Sequence, residues 1–378
     1  MSRLNRILFL FNNWPLPRLN KRIKVAQNLF EVHLVYWDRC RGRDWRPSFV
    51  PGVQVVPLRV KAPLGQTLQR IWPLCRFFRR SWRELTRIEP DLIHACQLDM
   101  LIIAWFYKLK QPRVRIVYEV ADLARPNSFF LWLERQLEPM VEQLILTSEA
   151  HYRGYYRQVF DREKTLVIPN CPERSVFAGF APKPATPELV IGWIGSLRYF
   201  EQLQMLIESA TAVGGIRVLI AGAGPDAAKV RALTAGRAAV DFYGAYNYDA
   251  DIRRLYGEVD CLYSVYDADR LNVRLALPNR LYEAIHCGLP LIVARATALG
   301  QFVVRRRIGF AVGHRDQAGL VALLTQLTND RRLLAACSDN CRRLREEYVV
   351  ENFNGQLLGV YQKLALPDAT TERQCRCE

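Results

Sequence analysis

The 378-residue sequence has no run of 18 apolar residues, which leaves no segment that reads as a membrane-spanning helix. The first residues, Met1 to Asn13, combine basic side chains with an apolar core too short for a signal peptide, so they are expected to hold the first strand. The ten cysteines show no pair of pairs at zinc-type spacing. Cys96, Cys261 and Cys287 fall in apolar segments as small core residues, Cys337 and Cys341 share one helical face, and Cys375 and Cys377 lie in a polar tail. Such usage suits a reducing, cytoplasmic setting. There is no internal repeat beyond a recurring strand–helix pattern.

Acidic residues are scarce. There are 37 against 53 Lys and Arg, a net charge of +16. The shortage is uneven: residues 1–180 hold 29 basic and 16 acidic residues, or +13, and the remainder holds 24 and 21, or +3. A basic half points to an anionic partner, whether nucleic acid, membrane surface or phosphorylated substrate. No specific nucleic-acid motif accompanies the charge, and no nucleic-acid partner is expected.

Half the residues are hydrophobic, and the chain is long enough for two cores. In the first half, strands at Ile7–Phe11, Val32–Trp37, Val53–Leu58, Leu92–Ala95, Val114–Val120, Leu144–Thr147 and Val167–Pro169 alternate with helical stretches. Alternation of this kind builds a parallel sheet covered on both faces. The Pro-rich stretch within 181–188 reads as a linker. The expected organisation is a domain over 1–180, a linker over 181–188, a second domain over 189–345, a helix within 346–367 and a tail over 368–378.

The segment Ala276-Leu-Pro-Asn-Arg-Leu-Tyr-Glu-Ala-Ile-His-Cys-Gly-Leu-Pro-Leu-Ile-Val-Ala294 says most about function. Pro278 and Asn279 mark a helix start, Gly288 its end, and Leu291–Ala294 a buried strand. A helix start presents free N–H groups and a positive dipole end, which suits phosphate. Arg280 adds a forked cation there, and Glu283 follows one turn later. Upstream, Leu189-Val-Ile-Gly-Trp-Ile-Gly195 is a strand entering a glycine loop, followed by Ser196-Leu-Arg-Tyr-Phe200. Further strands occupy Ile216–Ala221, Val240–Gly244 and Asp260-Cys-Leu-Tyr-Ser-Val-Tyr-Asp267.

This series resembles the donor half of glycosyltransferase family 4, over roughly 185–345, and more loosely in the first half. The resemblance implies the GT-B fold, an α/β arrangement of two Rossmann-like domains facing across a cleft, with the final helix packing back on the first domain. It implies a retaining, metal-independent hexosyltransferase that moves a sugar from a nucleoside diphosphate to a lipid-linked or growing glycan acceptor in surface polysaccharide or glycolipid assembly. No cofactor beyond the nucleotide-sugar donor is expected.

The resemblance assigns the diphosphate to Arg198 and Arg280 and the ribose to Glu283, with Gly195 and Asn279 beside them. Several family features are replaced. Leu275 stands where the first Glu of the Glu-x7-Glu pattern falls, Ser196 and Glu201 near the usual Arg and Lys, and Ala121 at the usual His. Asn272 and Arg274 are therefore candidates for sugar contact. Either Glu119 or Asp122 is a candidate to take the acceptor proton; Asp122 equally reads as a turn cap. Asn12 and Asn13 read as lining the acceptor side. His94 is either an acceptor contact or a satisfied core histidine. Asp267-Ala-Asp269 admits a divalent ion in principle, but a solvated loop is the favoured reading. The losses leave open a noncatalytic nucleotide-binding or scaffold protein.

Residues 66–88 form a basic, aromatic helical stretch, bent at Pro73, with Ile71, Cys75, Phe78, Trp82 and Leu85 near helical spacing. Arginines surround that stripe, Arg70 among them. With Trp72, Phe77, Arg76, Arg79, Arg80 and Arg83 outward, the helix suits an anionic membrane surface on the inner face of the cell membrane. The plainer alternative is that its apolar stripe packs on the sheet.

Overall fold

The structure, a computed structural model, describes residues 5–14, 17–39, 49–62, 71–123, 127–184 and 186–365. Residues 66–70, which include Arg70, and the tail at 368–378 lie outside these. The chain divides into two units: one takes Met1–Pro169 and resumes at Phe353, the other is Asn170–Asn352.

The first unit runs β1 (Arg6–Phe11), α1 (Pro17–Ala26), β2 (Glu31–Asp38), β3 (Gln54–Arg59), α2 (Ile71–Ile88), β4 (Leu92–Cys96), α3 (Leu98–Lys110), β5 (Arg115–Val120), α4 (Ser128–Leu137), β6 (Gln143–Leu146), α5 (Glu149–Gly154) and β7 (Thr165–Val167). Its seven strands pair in parallel in the order β3-β2-β1-β4-β5-β6-β7. The chain starts in the middle of the sheet and builds outward in both directions, so β1 and β4 flank a topological switch point. The Ile7–Phe11 stretch of β1 is buried throughout, as expected for a strand covered on both faces.

The second unit runs β8 (Leu189–Ile194), α6 (Phe200–Val213), β9 (Ile216–Ala221), α7 (Ala227–Thr234), β10 (Val240–Gly244), α8 (Tyr248–Gly257), β11 (Cys261–Ser264), α9 (Leu271–Leu275), α10 (Asn279–Cys287), β12 (Leu291–Ala294), α11 (Ala298–Arg306), β13 (Gly309–Val312), α12 (Gln317–Asn329) and α13 (Arg332–Leu344). Six parallel strands order as β10-β9-β8-β11-β12-β13, with a switch point between β8 and β11. The last helix, α14 (Glu351–Leu364), crosses the unit boundary: Leu357, Tyr361 and Leu364 join the core built on β1, β2 and α1. Their helical spacing makes one apolar face.

Three local expectations need correction. The unit boundary falls at Pro169/Asn170, ahead of the Pro-rich segment. Lys183 of that segment is instead tied to the second unit through an ion pair with Asp260 at 3.1 Å. Helix α4 stops at Leu137 and tightens into a 3-10 turn at Glu138–Met140, because Pro139 has no N–H to continue the ladder. In α2, Pro73 sits in the first turn, where a missing N–H costs nothing, and bends nothing. Its buried face is Phe77, Ser81, Leu85 and Ile88. Phe77, expected outward, stacks on Trp37 at 4.8 Å, while Cys75 and Ile71 are exposed.

Candidate active site

Helix α10 has the boundaries that its sequence marks. Pro278 is the N-cap residue in extended backbone, and Gly288 caps the other end in the left-handed region at φ 66°. The helix is buried from Arg280 to Cys287, and it brings Arg280 to the carboxyl ends of β8 and β11. There the guanidinium Nη1 donates long contacts to the Tyr263 carbonyl at 3.4 Å and Ser264 Oγ at 3.3 Å. The Trp193 and Tyr266 rings lie 5.8 Å from it. Gly195, at φ 143° directly after β8, makes room: a Cβ there would stand 2.0 Å from Arg280 Nη2. Arg280 is 9% exposed, and among the described residues no carboxylate lies within ion-pair distance of it. It is a buried cation at a switch point, contacted by dipoles, with the Glu283 charge acting on it from beyond ion-pair distance.

Glu283, one turn on, accepts from the Tyr248 hydroxyl at Oε1 and from the Tyr256 hydroxyl at Oε2, both at 2.6 Å. Burial pushes both phenols up, so they stay protonated and donate. Each carboxylate oxygen keeps a second lone pair for a ligand hydroxyl. These tyrosines come from α8, and nothing in their spacing pairs them with Glu283; the Tyr246-Asn-Tyr248 cluster after Gly244 was the available signal.

The other donor-side residues are more dispersed. The loop after β8 is pinned by Gly195 N–H to the Ala221 carbonyl at 2.8 Å and Leu197 N–H to the Ala223 carbonyl at 3.0 Å. That leaves Arg198 exposed, beside Tyr199. Asn272 is half-buried and Arg274 exposed on the short α9, and Asn279 accepts from Asn170. Asp267 and Asp269 are joined by two cationic neighbours that sequence reading did not assign, Arg270 at 3.0 Å from Asp267 and Arg315 at 2.6 Å from Asp269. His314 stands 3.5 Å from Asp269, so the three residues offer metal-ligating atoms close together. The arginines already serve both carboxylates.

In the first unit, two candidates change role. His94 is fully buried, with Nδ1 2.9 Å from the Tyr361 hydroxyl and Nε2 2.9 Å from Glu119 Oε2. Burial lowers its pKa and keeps it neutral. It is the core histidine of the two readings, and the acceptor-contact role falls away. Glu119 is also enclosed. Burial alone would raise its pKa, but the guanidiniums of Arg22 and Arg18 and the His94 hydrogen bond hold it far below the usual carboxylate range. An enclosed, strongly stabilised carboxylate makes a poor proton acceptor for an outside hydroxyl, and Glu119 is removed from the catalytic candidates. Asp122 lies exposed just beyond β5, and Asn12 and Asn13 follow β1, half-buried. Asn12 Nδ2 donates to Asp99 at 2.9 Å.

On α2, Trp72 is 71% exposed, and Arg76, Arg79 and Arg83 are exposed. Arg80 departs from expectation: it is half-buried, with Nη1 donating to the Arg59 carbonyl at 2.5 Å. Phe106 on α3 and Phe129 and Trp132 on α4 are also exposed, an extension that the sequence stripe did not reveal. No helix among the described residues is long and apolar enough to cross a membrane.

Two Rossmann-like α/β units with parallel sheets, each opening at a switch point, define a GT-B protein. Residues 188–330 match the family model described as glycosyl transferases group 1, and residues 25–171 match the glycosyl transferase 4-like domain. The chain belongs to this glycosyltransferase family. It is 28% identical over 303 residues to the succinoglycan biosynthesis protein ExoL of Rhizobium meliloti (strain 1021), covering 74% of each chain. Among solved structures it is similar to Anabaena HepE in complex with UDP, at a TM-score of 0.70 and 16% identity over 95% of this chain and 100% of that one. It is likewise similar to sucrose-phosphate synthase of Thermosynechococcus elongatus, at 0.73 and 15% over 95% and 99%.

Proposed function

We propose that this glycosyltransferase transfers a hexose, with retention and without a metal, from a nucleoside-diphosphate sugar to a lipid-linked or growing glycan acceptor in polysaccharide assembly. The observation that carries the reading is the buried Arg280 guanidinium over Gly195, which has no carboxylate partner among the described residues. A cation held in a poorly solvated site acts far more strongly on a developing diphosphate charge than one in water. The start of α10 adds its dipole, and Arg198 is the second cation on this side. Glu283 takes the ribose hydroxyls in this reading, with Tyr248 and Tyr256 orienting its carboxylate. Asn272 and Arg274 take the sugar in place of the carboxylate that Leu275 lacks. Asp122 receives the acceptor proton, and Asn12 and Asn13 line the acceptor side.

HepE was solved with UDP and ExoL is named for succinoglycan biosynthesis, which supports a uridine donor and a polysaccharide product. The exposed Trp72, Phe106, Phe129 and Trp132, with Arg76 and Arg79, form the surface by which the enzyme rests on the cytoplasmic face of an anionic membrane. A thermal-shift panel of UDP-, GDP-, ADP- and dTDP-sugars tests the donor. A true donor raises the melting temperature and is turned over; a nucleotide that binds without turnover supports the scaffold reading that Leu275 and Ala121 leave open; no shift with any of them removes the donor site.

A further inference from the structure

Two arginines of α1 share one carboxylate oxygen. Arg18 Nε and Arg22 Nε each lie 3.4 Å from Glu119 Oε1, while Oε2 is taken by His94. Among the described residues Arg22 adds a long contact from Nη2 to the Ile168 carbonyl at 3.4 Å. The two residues are 7% and 1% exposed, and among the described residues Glu119 is the one carboxylate in ion-pair reach of either. His94 is held neutral by burial, so the cluster carries one positive charge in excess. Its placement adds to that excess. Arg18 sits in the first turn of α1, at the positive end of the helix dipole, where no acidic residue offsets it, and Arg22 follows one turn later. A buried charge left over in this way is costly unless an anion completes it.

The cluster also lies at the ligand-binding edge of the sheet. Glu119, Cys96 and Phe11 are in register at the carboxyl ends of β5, β4 and β1, beside the Asn12–Asn13 loop. Asp99 on the same edge accepts from Asn12 Nδ2 through both oxygens, with the Arg39 guanidinium charge acting on it, so its charge is met there rather than by Arg18 or Arg22.

We propose that Arg18 and Arg22 form an anion subsite of the first unit, which takes a phosphate or carboxylate group. That this group belongs to the acceptor rests on the transferase reading; the subsite itself does not. Arg18, the more exposed, makes the contact, with Arg22 beside it and Glu119 competing for both guanidiniums.

The test is calorimetry of the full chain with inorganic pyrophosphate and, separately, methyl glucuronide, in an Arg280→Gln background so that the donor side is silenced. Arg18→Gln should weaken binding at least five-fold, and Arg18→Lys, which keeps charge but loses the fork, by less. Glu119→Gln removes the competing anion, so it should tighten binding and enlarge the thermal stabilisation that the anion confers. A purely structural ion cluster would not show these opposite signs. Pyrophosphate binding alone identifies a phosphate source, glucuronide binding alone a sugar carboxylate. If neither anion binds, or if binding is indifferent to Arg18→Gln, the subsite is refuted, even should Glu119→Gln fail to fold. Nucleotide-sugar thermal shifts in Arg18→Gln alone should stay at the wild-type value; their absence in the wild type would fault the donor reading and leave this subsite standing.

Discussion

The Arg280 guanidinium occupies the space that a side chain at residue 195 would need: a Cβ on Gly195 would lie 2.0 Å from Nη2. The glycine after β8 and the arginine of α10 are therefore one device. The strand ends in a backbone without a side chain so that a cation from another element can lie over the switch point.

Gly195→Ala should displace Arg280 and also strain a backbone at φ 143°. Nucleotide affinity should fall at least ten-fold, roughly 1.4 kcal/mol, with a lowered melting temperature. Calorimetry showing wild-type affinity would separate Arg280 from the diphosphate.

Glu283→Ala and Arg280→Ala should each weaken nucleoside-diphosphate binding while the chain still folds. Tyr256→Phe leaves Glu283 Oε2 short of a donor, at about 1–3 kcal/mol for an unsatisfied buried group. Tyr248→Phe, at a half-buried position, should cost less stability but shift ribose discrimination between nucleotides and deoxynucleotides. Unchanged affinity in both the Glu283 and Arg280 variants would end the donor assignment.

Activity should survive EDTA if Arg280 and Arg198 supply the positive charge for the proposed diphosphate, as proposed above. Abolition by EDTA with rescue by Mg²⁺ or Mn²⁺ would instead point to Asp267, Asp269 and His314 as ligands. Asp269→Asn would then abolish the rescue.

Acid should destabilise the fold through buried histidines. Burial pushes His151 down to about 4, against an ordinary 6.5, with Asp122 opposing in part. The folded state thus keeps His151 neutral where the unfolded chain takes a proton, so the stability it contributes is present above pH 6.5 and is lost as pH falls toward 4. The slope is about 1.4 kcal/mol per pH unit for each such group. His94, His33 and His286 are lowered in the same direction. Glu119 is depressed and loses its contribution only below the ordinary carboxylate range. Urea melts between pH 7.5 and 4.5 should show the loss, and His151→Leu should reduce its slope by about one proton.

Anionic vesicles should bind the protein better than neutral ones, and salt should weaken the difference. Changing Arg76, Arg79, Arg80 and Arg83 to Gln should reduce cosedimentation and leave nucleotide affinity intact. Arg80 should contribute least, because its guanidinium is turned onto the Arg59 carbonyl. Equal binding to both vesicle types, unaffected by the substitutions, would refute a membrane surface here.

Much of this architecture was legible in the sequence because it depends on near neighbours. Buried runs such as Ile7–Phe11 and Leu291–Ala294 alternate with helical periods, and that order makes parallel sheets. Pro278 and Gly288 mark α10 because backbone preferences act locally, and Arg280 and Glu283 inherit their positions from it. What tertiary structure alone decided was which groups meet. Arg22 and Glu119 are 97 positions apart, and Glu283 and Tyr256 are 27 apart. No periodicity reports such pairings, since they follow from how strands order and how helices pack. The same holds for α2, where neighbouring stripes through Phe77 or Phe78 both satisfy a helical repeat; contact with Trp37 on β2 selected Phe77. In sequence Glu119 read as a reactive group and His94 as either an acceptor contact or a core histidine, because composition carries chemistry but not placement. They became a core ion cluster because burial and partners, fixed only by the fold, set their charge and access.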